Sequence, residues 1–213
     1  MRVRLNRHAA IALIILGMAA AGCTGILAQA PAKAQVGAAM KAAYDKYKGL
    51  QEGKNADYIP ALAKVDPNIY GIAVIGVDGS AFTTGDVKSE VSIQSISKVF
   101  TLAKVIEEQG PEAIAKSIGV DATGMRFNSI VAVEMAQKAL GGPEMNSLVN
   151  PGAIATTSLV QGANRDAIWK SILAFYSEFA GRPLSVNQEV FKSESDTNQR
   201  NQAIGMLMYA YGY

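Results

Sequence analysis

The chain has 213 residues, of which 49% are hydrophobic and 18% are charged. This composition is typical of a globular protein with one core, and it excludes a disordered or fibrous chain. The formal net charge of +2 includes Arg2, Arg4 and Arg7, which stand in a segment without acidic residues. The rest of the chain has 17 basic and 18 acidic residues, a net charge of −1. No basic patch supports nucleic-acid binding, so we expect no nucleic-acid partner.

Residues 1–30 are typical of an export signal. Three arginines precede an uncharged apolar run from residue 9 to residue 21, and Ala28-Gln29-Ala30 offers a small-x-small cleavage site. This run of about 13 residues is shorter than the roughly 20 that a membrane-spanning helix needs, which favours export over a membrane anchor. We therefore expect a periplasmic or secreted protein.

Cys23 leaves a second way of processing this leader open. The small residues Ala20-Ala21-Gly22 precede it, as they precede a lipid-modified cysteine, although Ala20 stands where leucine is usual. The sequence favours soluble export only slightly over a lipid anchor on Cys23. Both alternatives place the protein outside the cytoplasm.

Hydrophobic periodicity and turn residues predict the elements of the remaining chain. In chain order they are a tether over 31–35, a helix over 36–50, a loop with a short helix near Ala61, a hairpin of strands 70–77 and 81–84 around Asp78-Gly79, a helix over 93–109 capped by Ser92, a helix from Asn128 or Ser129 to 141–143, an amphipathic helix over 164–180, and a last helix from 196–197 to Tyr211. We predict an α+β fold. A single hairpin is marginal by itself, and the apolar ending over 209–213 indicates an interrupted domain.

The mature part of the chain offers a serine nucleophile without a histidine. His8 and Cys23, the only histidine and cysteine, both lie in the leader, which excludes a Ser-His-Asp triad and a zinc site of thiolates or imidazoles. Ser95-Ile-Ser-Lys98 opens a predicted helix, so its hydroxyl and amine share one face. Hydrolysis by a lysine-activated serine is the chemistry that remains. By itself, the S-x-x-K pattern is also explained as the capped, solvent-exposed start of an ordinary helix.

Five separated motifs give this pattern a context. They are Tyr58-Ile-Pro60, residues 92–102 around the S-x-x-K, Phe127-Asn-Ser-Ile130, Asn150-Pro-Gly-Ala-Ile-Ala155, and Ser193-Glu-Ser195 followed by Arg200-Asn201. Their order and spacing resemble the serine-dependent glutaminase family, from about residue 49 to the end of the chain. The resemblance implies a β-lactamase-like α+β fold, with helices on an antiparallel sheet. It also implies hydrolysis of L-glutamine to L-glutamate and ammonia without a metal or organic cofactor.

The resemblance gives four residues roles at the reacting amide. It implies that Ser95 is the nucleophile, which also contacts the substrate, and that Lys98 is its partner base. Tyr58 and Gln94 line the same pocket, and Tyr58 shares the proton transfers. A neutral lysine near pH 7 requires its pKa to fall from about 10.4 to about 7, which desolvation can supply in part. Without the family, Tyr58 is better explained as a packed loop aromatic.

Three further residues are implied to hold the amino-acid end of the substrate. The carboxylate of Glu194 can pair with an ammonium group, and the amides of Asn150 and Asn201 can donate to a carboxylate. Each also has an ordinary structural explanation. Asn150 fits a turn, Glu194 fits the cap of a helix near Thr197, and Asn201 fits a solvated helix position.

The chain also departs from the family pattern. Pro151 and Phe191 stand where alanine and tyrosine are usual, and the leader is unexpected because the family is usually cytosolic. The chain ends early and lacks the Lys-[Ser/Thr]-Gly strand that brings an oxyanion donor, a loss that typically costs about 100- to 1000-fold in rate. We therefore expect a signal over 1–30, a tether and N-terminal helix over 31–48, and a glutaminase domain over 49–213 that is incomplete at its C-terminus.

Two expectations and two alternatives follow. We expect this chain alone to be inactive or very poor, and the complete protein to be a homo-oligomer, a dimer or a tetramer. The first alternative is a penicillin-interacting serine hydrolase, which the S-x-x-K and the leader fit and for which Ser185-Val-Asn187 resembles a Ser-x-Asn motif, although Lys-Thr-Gly is missing. The second alternative is a non-catalytic fragment.

Overall fold

The computed structural model of the chain describes residues 32–136 and 145–212. Its elements are α1 (Lys33–Tyr47), α2 (Pro60–Ala63), β1 (Gly71–Ile75), β2 (Ala81–Gly85), a 3-10 turn (Gln94–Ile96), α3 (Ser97–Gln109), α4 (Pro111–Ser117), α5 (Ile130–Met135), α6 (Asn150–Ser158), α7 (Arg165–Ala180), α8 (Gln188–Ser195) and α9 (Gln199–Ala210). Helices with one antiparallel sheet confirm the α+β prediction. No helix within these residues is long and apolar enough to cross a membrane. The predicted export signal over 1–30, which includes Cys23, lies outside the described residues.

One compact unit contains residues 32–49 and 71–85. Its strands pair antiparallel, with Gly71 opposite Gly85 and Ile75 opposite Ala81, and α1 packs on β2. The turn follows the predicted chemistry: Gly79 has a φ of +78°, and the Asp78 carboxylate accepts from the N–H and hydroxyl groups of Ser80. The predicted hairpin is confirmed.

The prediction of a tether through residue 35 is wrong, because α1 already begins at Lys33. Gln35 Oε1 accepts a hydrogen bond from the Ala32 N–H group at 3.0 Å. This bond satisfies one of the backbone donors that a helix start leaves free, so the helix extends further toward the N-terminus than the apolar periodicity indicated.

The second unit contains residues 50–70, 86–136 and 145–212 and has its own apolar core. Helix α3 lies at its centre, in contact with α4, α6 and α7, while α6 also contacts α9. The buried core side chains include Val105, Ile114, Ile118, Val133, Met145, Ile172, Ile204 and Met208. The predicted amphipathic helix is confirmed as α7, which Asn164 caps and Gly181 ends in the left-handed conformation.

Two predicted helix starts differ from the structure, and one predicted helix end lies outside the described residues. Ser92 does not cap α3, because a 3-10 turn precedes that helix and the Ser92 hydroxyl accepts from the Gln94 side chain instead. Ser129 caps α5 as predicted, but α5 ends at Met135, and the predicted end over 141–143 lies outside the described residues. The last helix, α9, begins at Gln199 rather than at 196–197.

Helix α8 was not predicted and accounts for the error at α9. It is short and mostly polar, so hydrophobic periodicity does not reveal it. The available signal is Asn187, whose Oδ1 accepts from the Val190 N–H group at 3.1 Å and caps the helix. This cap also gives a structural role to the asparagine of the Ser185-Val-Asn187 pattern.

Helix α6 begins at a close approach between two backbone segments. A Cβ atom at Gly152 would lie 1.8 Å from the carbonyl oxygen of Asn146, and the preceding Pro151 is fully buried. Backbone atoms cannot rotate away as a side chain can, so only glycine fits. The N-terminal end of α6 is therefore held against the preceding segment.

We predict that Gly152→Ala destabilises the protein by about 1–3 kcal/mol or more, because the added methyl group overlaps backbone. Gly205→Ala is the matched control: Gly205 lies within α9 and a Cβ there meets no atom within 4 Å beyond its own helix. The control should stabilise by about 0.5–1 kcal/mol. Urea unfolding followed by circular dichroism measures both, and an unchanged free energy of unfolding for Gly152→Ala would contradict the packing described.

Candidate active site

Ser95 and Lys98 meet at the N-terminal end of α3. Ser95 lies in the 3-10 turn, and Lys98 is the second residue of the α-helix. Lys98 Nζ lies 2.9 Å from Ser95 Oγ, within hydrogen-bonding distance. Ser95 is exposed and Lys98 is partly buried. The predicted placement of the hydroxyl and the amine on one face is confirmed.

Gln94, directly before Ser95, has an unusual backbone. Its φ is +46°, which makes it the one non-glycine residue with positive φ in the parts of the chain described. Its Nε2 donates to Ser92 Oγ at 2.8 Å, a partner that sequence reasoning assigned to helix capping. Strained backbone of this kind is found preferentially at functional sites. Here it turns the chain into the 3-10 segment that carries Ser95.

Asn150 brings an amide group from α6 to the lysine. Lys98 Nζ donates to Asn150 Oδ1 at 2.7 Å. The backbone N–H group of Asn150 donates to the Phe127 carbonyl oxygen at 2.7 Å. Two of the sequence motifs therefore meet at the first residue of α6, and Phe127 contributes through its backbone, which residue types alone do not reveal.

Asn201 extends this chain of hydrogen bonds onto α9. Asn150 Nδ2 donates to Asn201 Oδ1 at 2.9 Å. The neighbouring Arg200 donates to the Asn128 carbonyl oxygen at 3.5 Å, which joins the start of α9 to the segment before α5. An unbroken hydrogen-bonded chain thus runs from Ser95 through Lys98 and Asn150 to Asn201.

The pKa of the Lys98 amine lies below its ordinary value. Burial is the larger cause, because it disfavours the ammonium form, and the carboxylate of Glu194 acts in the opposite direction. Glu194 stands in the last turn of α8 and is partly buried. It does not cap the next helix, whose N-cap residue is Asn198.

Tyr58 is less closely connected to this cluster. Its side chain is 67% exposed, and its hydroxyl makes no hydrogen bond to any residue that the structure describes. The segment that follows the Tyr58-Ile-Pro60 motif nevertheless contacts α8. The Ala61 N–H group donates to Ser193 Oγ at 3.1 Å, next to Glu194. The role of Tyr58 in proton transfer stays a prediction.

The described side chains supply acid–base and nucleophilic groups rather than a metal site. Within 32–136 and 145–212, no group of three or more His, Cys, Asp or Glu side chains is placed to hold a metal ion. A hydroxyl beside a desolvated amine can be activated for attack on a carbonyl carbon. The amides and the carboxylate nearby can bind a ligand that carries both charges, as a free amino acid does.

Comparisons with known proteins identify similar chains. A glutaminase family model matches residues 53–213. A glutaminase of Colwellia psychrerythraea is 49% identical over 185 residues, 87% of this chain and 58% of its own length. A glutaminase of Mycobacterium ulcerans is 44% identical over 180 residues, 84% of this chain and 55% of its own. The chain thus spans little more than half the length of these relatives.

Solved structures extend the similarity to three dimensions. A probable glutaminase, ybaS, superposes with a TM-score of 0.80 at 40% identity, covering 86% of this chain and 58% of its own. The crystal structure of Mglu in its glutamate form gives a TM-score of 0.74 at 29% identity, covering 83% and 40%. A family model that matches three quarters of the sequence, together with these relatives, shows that the chain belongs to the glutaminase family.

Proposed function

We propose that this chain carries a site that hydrolyses L-glutamine to L-glutamate and ammonia. The observation that carries the proposal is the 2.9 Å contact between Lys98 Nζ and Ser95 Oγ, in a chain without a histidine outside the leader. A nucleophile and a base within hydrogen-bonding distance are the minimum that acyl transfer requires. The relatives named glutaminase support the choice of glutamine as the substrate.

In the proposed first step, Ser95 Oγ attacks the carbon of the substrate's side-chain amide. Neutral Lys98 takes the hydroxyl proton and passes it to the departing nitrogen, so ammonia leaves and a glutamyl ester remains on Ser95. Water then attacks the ester, Lys98 accepts a proton from it and returns that proton to Ser95 Oγ, and glutamate is released with the serine hydroxyl restored. The lowered pKa of Lys98 supports this role, because only the neutral amine can accept the proton. Tyr58 shares the proton transfers, and Gln94 lines the pocket.

We assign recognition of the amino-acid end to three side chains. The Glu194 carboxylate pairs with the substrate ammonium, and the amide hydrogens of Asn150 and Asn201 reach the substrate carboxylate. Pairing Glu194 with a cation also offsets the charge that raises the pKa of Lys98, so binding favours the neutral base. The glutamate form of Mglu, a 29% identical relative, supports a site that holds this amino acid.

Location and assembly belong to the same proposal. The leader over residues 1–30 supports export to the periplasm or beyond, with a lipid anchor on Cys23 as the alternative. A homo-oligomer, dimer or tetramer, stays a prediction from the family resemblance.

We predict that 6-diazo-5-oxo-L-norleucine, in which a diazoketone replaces the amide of glutamine, alkylates Ser95 with loss of N2. The proton of the Ser95 hydroxyl passes to the diazo carbon, Ser95 Oγ bonds to that carbon and N2 leaves, so labelling does not depend on complete turnover. Peptide mass spectrometry should place the adduct on Ser95, and L-glutamate should protect it. Ser95→Ala should abolish the adduct. Ser97→Ala is the matched control within the same motif, because the Ser97 hydroxyl lies outside the hydrogen-bonded chain, and it should label like the unchanged protein.

An unlabelled wild-type chain, or an adduct that persists in Ser95→Ala, would contradict the proposed nucleophile. Release of ammonia from glutamine, measured in the same preparations, checks the separate expectation that this chain alone is inactive or very poor.

We predict that Glu194→Gln moves the pH dependence of labelling to lower pH. The Glu194 carboxylate stabilises the Lys98 ammonium, so its removal lowers the pKa of Lys98, and the rate should rise at a lower pH. Labelling rates at saturating reagent, measured as a function of pH, give this shift. Glu189→Gln is the control: Glu189 lies on the same helix, is exposed and pairs with Lys64 at 3.7 Å. A shift to higher pH in Glu194→Gln would show that Lys98 is not the base.

A further inference from the structure

We propose that Asn150 is a positioning residue that orients the Lys98 amine toward Ser95, and that Asn201 holds the Asn150 amide with its oxygen toward Lys98. The contacts that carry this inference are Lys98 Nζ to Asn150 Oδ1 at 2.7 Å and Asn150 Nδ2 to Asn201 Oδ1 at 2.9 Å. It rests on the proposed function and gives these two residues a role in addition to binding substrate.

The orientation of the two side-chain amides follows from the hydrogen-bond donors around them. A protonated lysine has three N–H groups and no acceptor, so Asn150 must turn its oxygen toward Lys98. Its Nδ2 group then faces Asn201, which must present its own oxygen. Reversing Asn150 in this state would place N–H groups against the ammonium and two carbonyl oxygens against each other. The hydrogen-bonded chain is therefore satisfied with the two amides in one orientation only.

This orientation of the Asn150 amide matters most when Lys98 is neutral. A neutral amine has two N–H groups and one lone pair in tetrahedral directions. With one N–H group held by Asn150 Oδ1, the lone pair is free to face Ser95 Oγ at 2.9 Å. If Asn150 were reversed, its NH2 group would compete with the serine hydroxyl for that lone pair. An acceptor that orients a base in this way is the third part of a nucleophile–base–orienting group arrangement.

The scaffold holds Asn150 well enough for this task. Its N–H group is bound to the Phe127 carbonyl oxygen at 2.7 Å, and Pro151 and Gly152 pack without space behind it. Asn201 is held by α9, whose Ile204 side chain is fully buried. Both amides therefore project from fixed backbone positions, as a positioning role requires.

The charges around Lys98 are simple enough for a pH profile to report on this amine. Helix α6 has no titratable side chain. Charged residues on the other elements packed against α3, and on α3 itself, are Glu112 and Lys116 of α4, Arg165, Asp166, Lys170 and Glu178 of α7, and Lys104, Glu107 and Glu108 of α3. Glu194 on α8 is the charged group that acts on Lys98.

The test compares limiting labelling rates by 6-diazo-5-oxo-L-norleucine at saturating reagent across pH. Asn150→Ala should lower the limiting rate about 10- to 100-fold, a part of what general-base catalysis contributes. Asn150→Asp keeps the oxygen acceptor but places a carboxylate against the amine, so its rate should rise at higher pH than in the unchanged protein. Above that pH, it should recover to within about threefold of the unchanged limiting rate, because the orienting acceptor is still present.

Asn201→Ala is the second variant and does not alter the group that touches Lys98. It should lower the limiting rate by about three- to tenfold, because the Asn150 amide is then free to reverse. Gln202→Ala is its control, since the adjacent Gln202 side chain is exposed and bonds to Asn198 on the same helix, and it should leave the rate unchanged. Circular dichroism checks that each variant is folded.

Each result separates this inference from the proposed function. A role limited to substrate binding would raise the half-saturating reagent concentration of Asn150→Ala while leaving its limiting rate unchanged, and that result would overturn the inference alone. A wild-type chain that is not labelled at Ser95 would overturn the proposed function and this inference with it. Recovery of the rate in Asn150→Asp at high pH, but not in Asn150→Ala, would support it.

Discussion

The contact between Lys98 Nζ and Ser95 Oγ is the interaction on which the rest of the site depends. It exists because the backbone passes from a 3-10 turn into an α-helix between the two residues, directly after the positive φ of Gln94. The start of α3 therefore places a hydroxyl beside an amine, where the sequence predicted an ordinary helix cap.

The surrounding helices supply what this pair needs. Helix α6 packs against α3 and brings Asn150 to the amine, and burial of the amine is the larger cause of its lowered pKa. The same packing delivers Asn150 as a hydrogen-bond acceptor, so the amine is desolvated without losing all of its polar partners. Glu194 moderates the effect from α8. The opposed influences of burial and charge make the lysine responsive to what binds beside it.

The parts of this arrangement that depend on nearby residues could be predicted from the sequence. Asp78-Gly79 specifies the hairpin, Asn164 and Gly181 bound α7, and the three-residue spacing of Ser95 and Lys98 places them together. The failures have local physical causes. Ser92 prefers a side-chain partner over the helix cap, and the polar α8 has no apolar stripe to reveal it.

Contacts between distant segments could not be predicted from the residues alone. Lys98 and Asn150 are 52 positions apart, and the backbone role of Phe127 leaves no trace in residue type. The family resemblance placed Asn150 at the site, but only the packing of α6 on α3 shows that its oxygen faces the amine. The proposed function depends on helix packing that brings residues distant in the sequence close together.

The protonation of Lys98 is the property that most directly decides whether the pair can act as proposed. Nuclear magnetic resonance titration of isotopically methylated lysines, with Lys98→Arg to assign the signal, measures it without any substrate. We expect the Lys98 signal to titrate below the ordinary lysine pKa of about 10.4, because burial disfavours its ammonium form. A Lys98 signal that titrates at or above that ordinary value would contradict its role as the base.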